Sequence, residues 1–416
     1  MRALVSFAAL FVSIFLVQMG SGSLGPLDAL AASARGFTAE EIGILGSAHF
    51  LGFFLGCWLA PRFVGQVGHS RAFAAAAAIG ATGALLHPVL EGPLLWALLR
   101  VLTGMAIASA YTVVESWLQA KTENHNRGRV YGIFRVVDMG GQICAQAMIA
   151  VLDPASYAAY NIVAVFCCLC LLPLALSRRV APEIPGTPRL RPLAAYRLSP
   201  LAAVGIIVAG MTGAAFRMVG PLYGLRFGLD AGQMAIFLSA AVIGGVAVQY
   251  PVGWLADKVE RRSVLMGISL AAIACCAWIA QAPSDPHTLY LAAALFGATS
   301  YPIYSVSSAL ANDRAPPEMS LELNASLVFF FSLGAVVSPT LSARLIDAFG
   351  PQALFLFVAA AHLALLIFAL YRMTRRETVA PVTPYSYTPR TSMVLGRFLG
   401  RKPDEAPEDP PERSDK

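Results

Sequence analysis

Apolar runs of about twenty residues follow one another along the whole chain, from MRALVSFAALFVSIFLVQMG at its start to LFLFVAAAHLALLIFAL, which ends at Leu370. Each is long enough to cross about 30 Å of hydrocarbon. Backbone N–H and C=O groups find no water there, so such a run must be a helix, or a strand in a closed barrel. Barrel strands alternate apolar and polar residues in segments of about ten, and nothing in this sequence does so. The chain is 57% hydrophobic and 13% charged, too oily and too sparsely charged for a soluble domain, where about a quarter of residues carry charge. The fold class that follows is an all-α polytopic membrane protein.

Pro, Gly and charge clusters divide the runs into twelve transmembrane helices. They are expected near 4–32, 40–61, 72–90, 94–119, 128–152 and 157–177, then near 199–222, 232–256, 263–282, 287–311, 321–345 and 351–372. The first run has the single Arg and apolar core of a signal peptide. It continues past Gly20 toward Leu30, however, so it is read as the first helix. The seven cysteines all lie inside apolar runs without paired metal-ligand spacing and are read as small buried hydrophobes.

An even span count puts both termini on one side, and basic residues choose the side. With cytoplasmic termini, the inside segments hold 18 Lys and Arg before the tail and the outside loops only Arg35, Arg226 and Arg344. The net charge of +6 is therefore a topology signal and does not call for nucleic acid. A multi-pass protein of the cell inner membrane is expected, in contact with the lipid bilayer, as a monomer.

Residues 177–200, rich in Pro and Arg, read as a cytoplasmic linker between an N-terminal six-helix bundle, 1–176, and a C-terminal one, 201–376. Residues 377–416, rich in Pro, Asp and Glu, read as a disordered cytoplasmic tail. The bundles repeat. At an offset of 192, Ile44, Ser47, Ala48 and Gly52 fall on Ile236, Ser239, Ala240 and Gly244. At 193, Gly104, Tyr111 and Gly141 fall on Gly297, Tyr304 and Gly334, and at 195 Gly25-Pro26-Leu27 falls on Gly220-Pro221-Leu222. Two parallel six-span repeats joined by a linker are a transporter architecture.

The offset of 192 also superposes two charged loops, PRFVGQVGHSR from Pro61 and GWLADKVERR from Gly253. Asp257 in the second can accept hydrogen bonds from a helix N-terminus of the other bundle, whose partial charge is positive. This loop resembles the cytoplasmic-loop signature of the major facilitator superfamily, Gly-x-x-x-Asp-Arg/Lys-x-Gly-Arg-Arg/Lys. Gly253, Asp257, Lys258, Arg261 and Arg262 match it, and Glu260 replaces the second Gly. In the first half Pro61, Gly65 and Gln66 stand for the Gly, Asp and Arg, while Gly68 survives, so the carboxylate contact is expected from the second half alone. Arg100-Val-Leu-Thr-Gly104 is similar to the superfamily's fourth-span signature, and VVESWL followed by NRGR resembles its YcaD-like branch. The resemblance covers about residues 1–376.

An ionisable side chain within a span costs on the order of 2.5–3.5 kcal/mol on insertion scales and is a functional candidate by default. Arg100 is either a buried cation contacting substrate or a coupling carboxylate, as the resemblance implies, or a structural Arg on backbone carbonyls. Glu115 and Arg135 fall at equal depth on adjacent antiparallel spans, and Asp138 is one turn past Arg135. The three form either a proton-binding cluster or, the favoured reading, a static clamp near the inner mouth. Asp28 and Arg217, each beside a Gly-Pro, could pair across the outer mouth, or Asp28 could be a solvated helix end. Gln142 lies on the Asp138 face. Tyr304, beside the break at Tyr301-Pro302, either lines a pathway or packs in the core.

No phosphate loop, HExxH or Gly-x-Ser-x-Gly occurs, so an enzyme is not expected, nor a cofactor or metal. The reading is a secondary active transporter of a small organic solute, by alternating access, with protons the expected drive and the direction open. The alternative is a non-transporting receptor or scaffold on the same fold, working through its linker and tail.

Overall fold

The computed structural model describes residues 2–121, 127–176, 190–281, 285–316 and 319–373. Within them the chain is helical and has no strand. The first half contains α1 (Arg2–Ala34), α2 (Ala39–Val67), α3 (His69–Leu86), α4 (Pro93–Lys121), α5 (Arg127–Ile149), α6 (Tyr157–Leu169) and α7 (Leu171–Ala175). A short α8 (Pro192–Leu198) precedes the second half: α9 (Pro200–Arg226), α10 (Ala231–Lys258), α11 (Arg261–Ile279), α12 (Pro286–Ser300), α13 (Pro302–Asn312), α14 (Ser320–Phe349) and α15 (Ala353–Met373). Ten segments are long and apolar enough to cross a membrane, counting α6–α7 and α12–α13 as one each. The other two expected spans are α3, which opens on His69-Ser70-Arg71, and α5, which carries Arg135 and Asp138; these polar residues lower their hydropathy.

The α6–α7 break has a local cause. Pro173 lacks an N–H, and its ring would clash with the carbonyl of Leu169, where α6 ends. Pro302 interrupts the tenth span at Tyr301 in the same way, as expected from its sequence. The segment read as the linker contains a short helix within its described part. Residues 190–200 contain the α8 helix, started by Pro192 at its first turn, where a fixed φ and a missing N–H cost nothing. Arg191 ties this helix to α14 through Glu322 (3.4 Å) and Ser326 (3.3 Å). Residues 177–189 and 374–416, which include the tail, lie outside the described residues. Cys144 and Cys168 are exposed, correcting the expectation that every cysteine is buried; both are on helix faces turned away from the bundle.

The duplication is visible at atomic detail. α1 ends in a left-handed Gly36 (φ 80°), with the Phe37 N–H returning to the Ala32 carbonyl. α9 ends in Gly228 (φ 73°), with Leu229 returning to Gly224. These are Schellman closures. Each leads into a capping box, Thr38 with Glu41 and Asp230 with Gln233. Packing repeats as well: α1 lies on α5 as α9 on α14, α2 on α4 as α10 on α12, and α3 on α6 as α11 on α15. The halves meet through α2 on α14 and α10 on α5, an arrangement that a pseudo-twofold axis exchanges.

Close helix crossings fall on the glycines that the offset aligned. A Cβ at Gly52 would stand 2.0 Å from the Val101 carbonyl oxygen of α4, and one at Gly104 2.2 Å from the His49 oxygen of α2. The second half matches this reciprocity. A Cβ at Gly244 would stand 2.0 Å from the Ala294 oxygen, and one at Gly297 1.8 Å from the Ala241 oxygen. Without a hydrophobic drive between helices in lipid, close backbone approach supplies the packing energy.

α2 and α14 run antiparallel and face to face. Their contacts begin at the Glu40–Arg344 ion pair, continue through Ser47–Thr340 (2.8 Å) and the Phe50–Phe331 rings, and reach Cys57 beside Ala325 and Val328. The end bearing Glu40 and Arg344 is the arginine-poor face of the molecule, and the α2–α3 and α10–α11 turns lie on the arginine-rich face.

Candidate functional site

The polar residues buried in the first half gather in two layers. Near the arginine-poor face, Asp28 is 1% exposed and held by three helices besides its own. Tyr160 of α6 donates to its Oδ1 (2.9 Å), while Arg100 Nη1 of α4 and His87 Nε2 at the end of α3 stand 3.5 and 3.3 Å from its Oδ2. Arg100 also reaches across to the second half, its Nη2 3.8 Å from the Met218 sulfur of α9. An aromatic wall closes this layer: His87 stacks on Tyr160 and meets the Trp96 ring edge-on, and Trp96 in turn carries Phe37 and Arg35.

The expected Asp28–Arg217 pair is therefore not the one that forms. Asp28 faces into its own bundle, toward α3, α4 and α6, and is neither a gate partner of Arg217 nor a solvated helix end. Arg217, half-buried on α9, lies within electrostatic reach of Arg100, His49 and Tyr111 instead. It is a cation that the second half presents toward buried groups of the first.

The second layer is at mid-depth. Asp138 of α5 takes a hydrogen bond from Gln18, at the middle of α1, at 2.8 Å, one from the Tyr111 hydroxyl of α4, and an ion pair from Arg135 at 2.9 Å. The Arg135–Asp138 pairing agrees with the helical spacing. The depth does not agree with a clamp near the inner mouth: α1 crosses here, and the cluster joins three spans, where two were expected. Glu115 is buried on α4 one turn beyond Tyr111. Gln142 is half-buried one turn beyond Asp138 and makes no hydrogen bond among the described residues. Tyr304 is 3% exposed, packed edge-on against Phe331, which itself meets Phe50 of α2; this is a core position at the junction of the halves.

The charged loop of the second half is a compact network. Arg261, 2% exposed, donates to Asp313 at the end of α13 (2.8 Å), to Asp257 (3.2 Å) and to the Ala256 carbonyl (3.3 Å). Arg262 pairs with Glu260 (3.4 Å), Lys258 lies over the Trp254 ring, and Gly253 is buried. Arg261 of the same loop is one partner of Asp257, and the helix that carries Asp257 also packs on α5 of the other bundle. The Glu260 replacement also has a reason. In the first half one residue, Gly68 at φ 85°, makes the turn, whereas Val259 and Glu260 share it at negative φ, so no glycine is required.

His87, Tyr160 and Tyr111 escaped sequence reasoning as site residues. The available signals were weak: a His-Pro step at the end of an apolar run, and hydroxyls on otherwise apolar spans. A small apolar pocket among α1, α3, α4 and α6, lined by small residues such as Ala76, Gly80 and Ala106, stands apart from both polar layers.

A duplicated helical bundle that keeps charge at mid-membrane and at the contact between its halves has the architecture of a membrane transport protein. The family model described as Major Facilitator Superfamily matches residues 10–258 and again 202–403, and the chain belongs to that superfamily. It is similar to an MFS-type transporter of Enterobacter sp. (strain 638), at 24% identity over 372 residues, 89% of this chain and 96% of the relative. It is also similar to the MFS-type transporter YcaD of Salmonella arizonae, at 23% over 364 residues, 87% and 94% of the two chains. Among solved structures, the nucleoside transporter NupG superposes with a TM-score of 0.71 at 17% identity, covering 90% of this chain and 99% of its own.

Proposed function

We propose that this protein moves a small organic solute by alternating access between residues 1–176 and 201–376, with protons as the coupling ion. The observation that carries the reading is the buried Asp28–Arg100 pair, whose guanidinium touches Met218 of the second half. Rocking of the halves makes or breaks that contact, so the state of the pair and the conformation of the bundle depend on each other. An ion pair sunk in a span and reaching the opposite bundle has no use in a static scaffold that offsets its cost. Asp138 takes the clamp role, because both its oxygens already accept from fixed donors.

Reconstituted vesicles offered a panel of nucleosides, sugars, organic acids and amphipathic cations are expected to accumulate at least one, and to lose that accumulation when the pH gradient is collapsed. Asp138→Asn is expected to keep the pH dependence while lowering thermal stability. No flux for any solute, together with a partner captured through residues 377–416, would establish the scaffold instead.

The arginine-rich face is assigned to the cytoplasm and the arginine-poor face to the outside of the inner membrane. Ser70→Cys, in the exposed start of α3, should resist an impermeant thiol reagent in intact cells, and Glu91→Cys, in the α3–α4 turn, should react. Reaction at both would refute the threading.

A further inference from the structure

His87 and Asp28 present a hydrogen-bonding problem that one shared proton would solve. His87 closes α3 with its Nδ1 2.6 Å from the Gly83 carbonyl oxygen. A carbonyl accepts and never donates, so Nδ1 carries the hydrogen, and the tautomer is set by its partner. The other ring nitrogen, Nε2, then faces Asp28 Oδ2 at 3.3 Å. With neutral imidazole and ionised carboxylate, two lone pairs would oppose each other in a site where His87 is 0% and Asp28 1% exposed. Asp28 Oδ2, His87 Nε2 and Arg100 Nη1 converge with no hydrogen bond satisfied at any of the three atoms. Buried polar atoms in that condition are rare and mark a missing partner.

We propose that Asp28 Oδ2 and His87 Nε2 hold one exchangeable proton between them, and that this pair is the proton-binding site of the transport cycle; its place in the cycle rests on the proton-coupled reading above. The pair is enclosed by aromatic rings: Tyr160 is stacked on the His87 ring and Trp96 stands at a steep angle to it. Arg100 on α4 faces Asp28, Arg35 after α1 lies over the Trp96 ring, and Arg217 on α9 is within electrostatic reach of Arg100. When the proton leaves, Asp28 stays a carboxylate against Arg100 and the Tyr160 hydroxyl, and His87 returns to neutral imidazole with its Nδ1–H still on Gly83. The Phe37–Trp96–Tyr160 wall separates the pair from the arginine-poor face, so exchange requires that wall to open.

The test reads the protein itself. In full-length protein labelled with ¹⁵N-histidine and placed in nanodiscs, the His87 signals, identified by their loss in His87→Gln, are followed through a pH titration. Nδ1 is expected to remain protonated throughout, and Nε2 to change once. Asp28→Asn should displace that transition, because the two groups titrate as a unit. Infrared difference spectra of the unlabelled wild type supply a measurement that needs no variant, with one carboxyl band expected to change together with the imidazole bands. An Nε2–H neutral tautomer, an Nε2 unchanged across the range, or a transition indifferent to Asp28→Asn in folded protein would each overturn the assignment. The titration can succeed in a protein that moves nothing, and solute–proton flux can persist when it fails, so the failure of the pair and the failure of the transport reading are told apart.

Discussion

Gly297→Val and Gly52→Val are expected to leave little folded protein. At these crossings the glycine hydrogen faces a carbonyl oxygen of the neighbouring helix, and a Cβ would stand 1.8 Å from the Ala241 oxygen in one case and 2.0 Å from the Val101 oxygen in the other. No rotamer relieves such a contact, because the obstacle is backbone, so α10 and α12, or α2 and α4, must separate along their length. Overpacking a core costs about 1–3 kcal/mol where side chains can give, and these positions should exceed that range. The measurement is the monodisperse fraction in detergent and its thermal midpoint. Gly267→Val, on α11 with open space where its Cβ would be, serves as the control and is expected to behave as the parent protein. A stable, monodisperse Gly297→Val would mean that the crossing is looser than described.

Arg100→Met is expected to reduce transport to background and to destabilise the first half, because it strands Asp28 at 1% exposure with its principal cation gone. Breaking one partner out of a buried pair costs on the order of 3–5 kcal/mol. Asp28→Asn alone should cost stability for the complementary reason, leaving an unpaired guanidinium. Combining the two removes both charges, and the double variant should recover most of the lost stability, a coupling that a double-mutant cycle measures directly. Transport should not recover with it, since a neutral pair has no charge to exchange with the contact at Met218. Equal recovery of both properties would make the pair a structural brace. Recovery of neither would place the cost elsewhere in the layer, in Tyr160 or His87.

The two expectations differ in what made them legible. Gly52 and Gly244, like Gly104 and Gly297, fall on each other at the repeat offset, so their equivalence is visible in the sequence. That each faces a carbonyl across a crossing is not, because the partner residue is set by which helices become neighbours. Arg100 was singled out because an ionisable residue in a span is costly wherever it sits. Its partner is not legible in the sequence: the repeat offers Asp28–Arg217 as one pairing, whereas Asp28 is turned toward α3, α4 and α6 of its own half. His87 and Tyr160 went unnoticed because a histidine at a helix end and a tyrosine in a span are unremarkable until a carboxylate is found between them.

The sequence by itself determined where the chain crosses the bilayer, which face carries the basic residues, and that one half duplicates the other. Hydrocarbon imposes these locally, since every segment of about twenty residues must satisfy its own backbone and place its own flanking charge. Only the tertiary structure decided which charges meet. Asp28 and Tyr160 are 132 residues apart, and Gln18 and Asp138 are 120 apart. Whether such residues touch depends on the rotation of each helix about its axis. Hydropathy carries little of that rotation, because lipid and a neighbouring helix are almost equally apolar, and packing of small residues against backbone settles it.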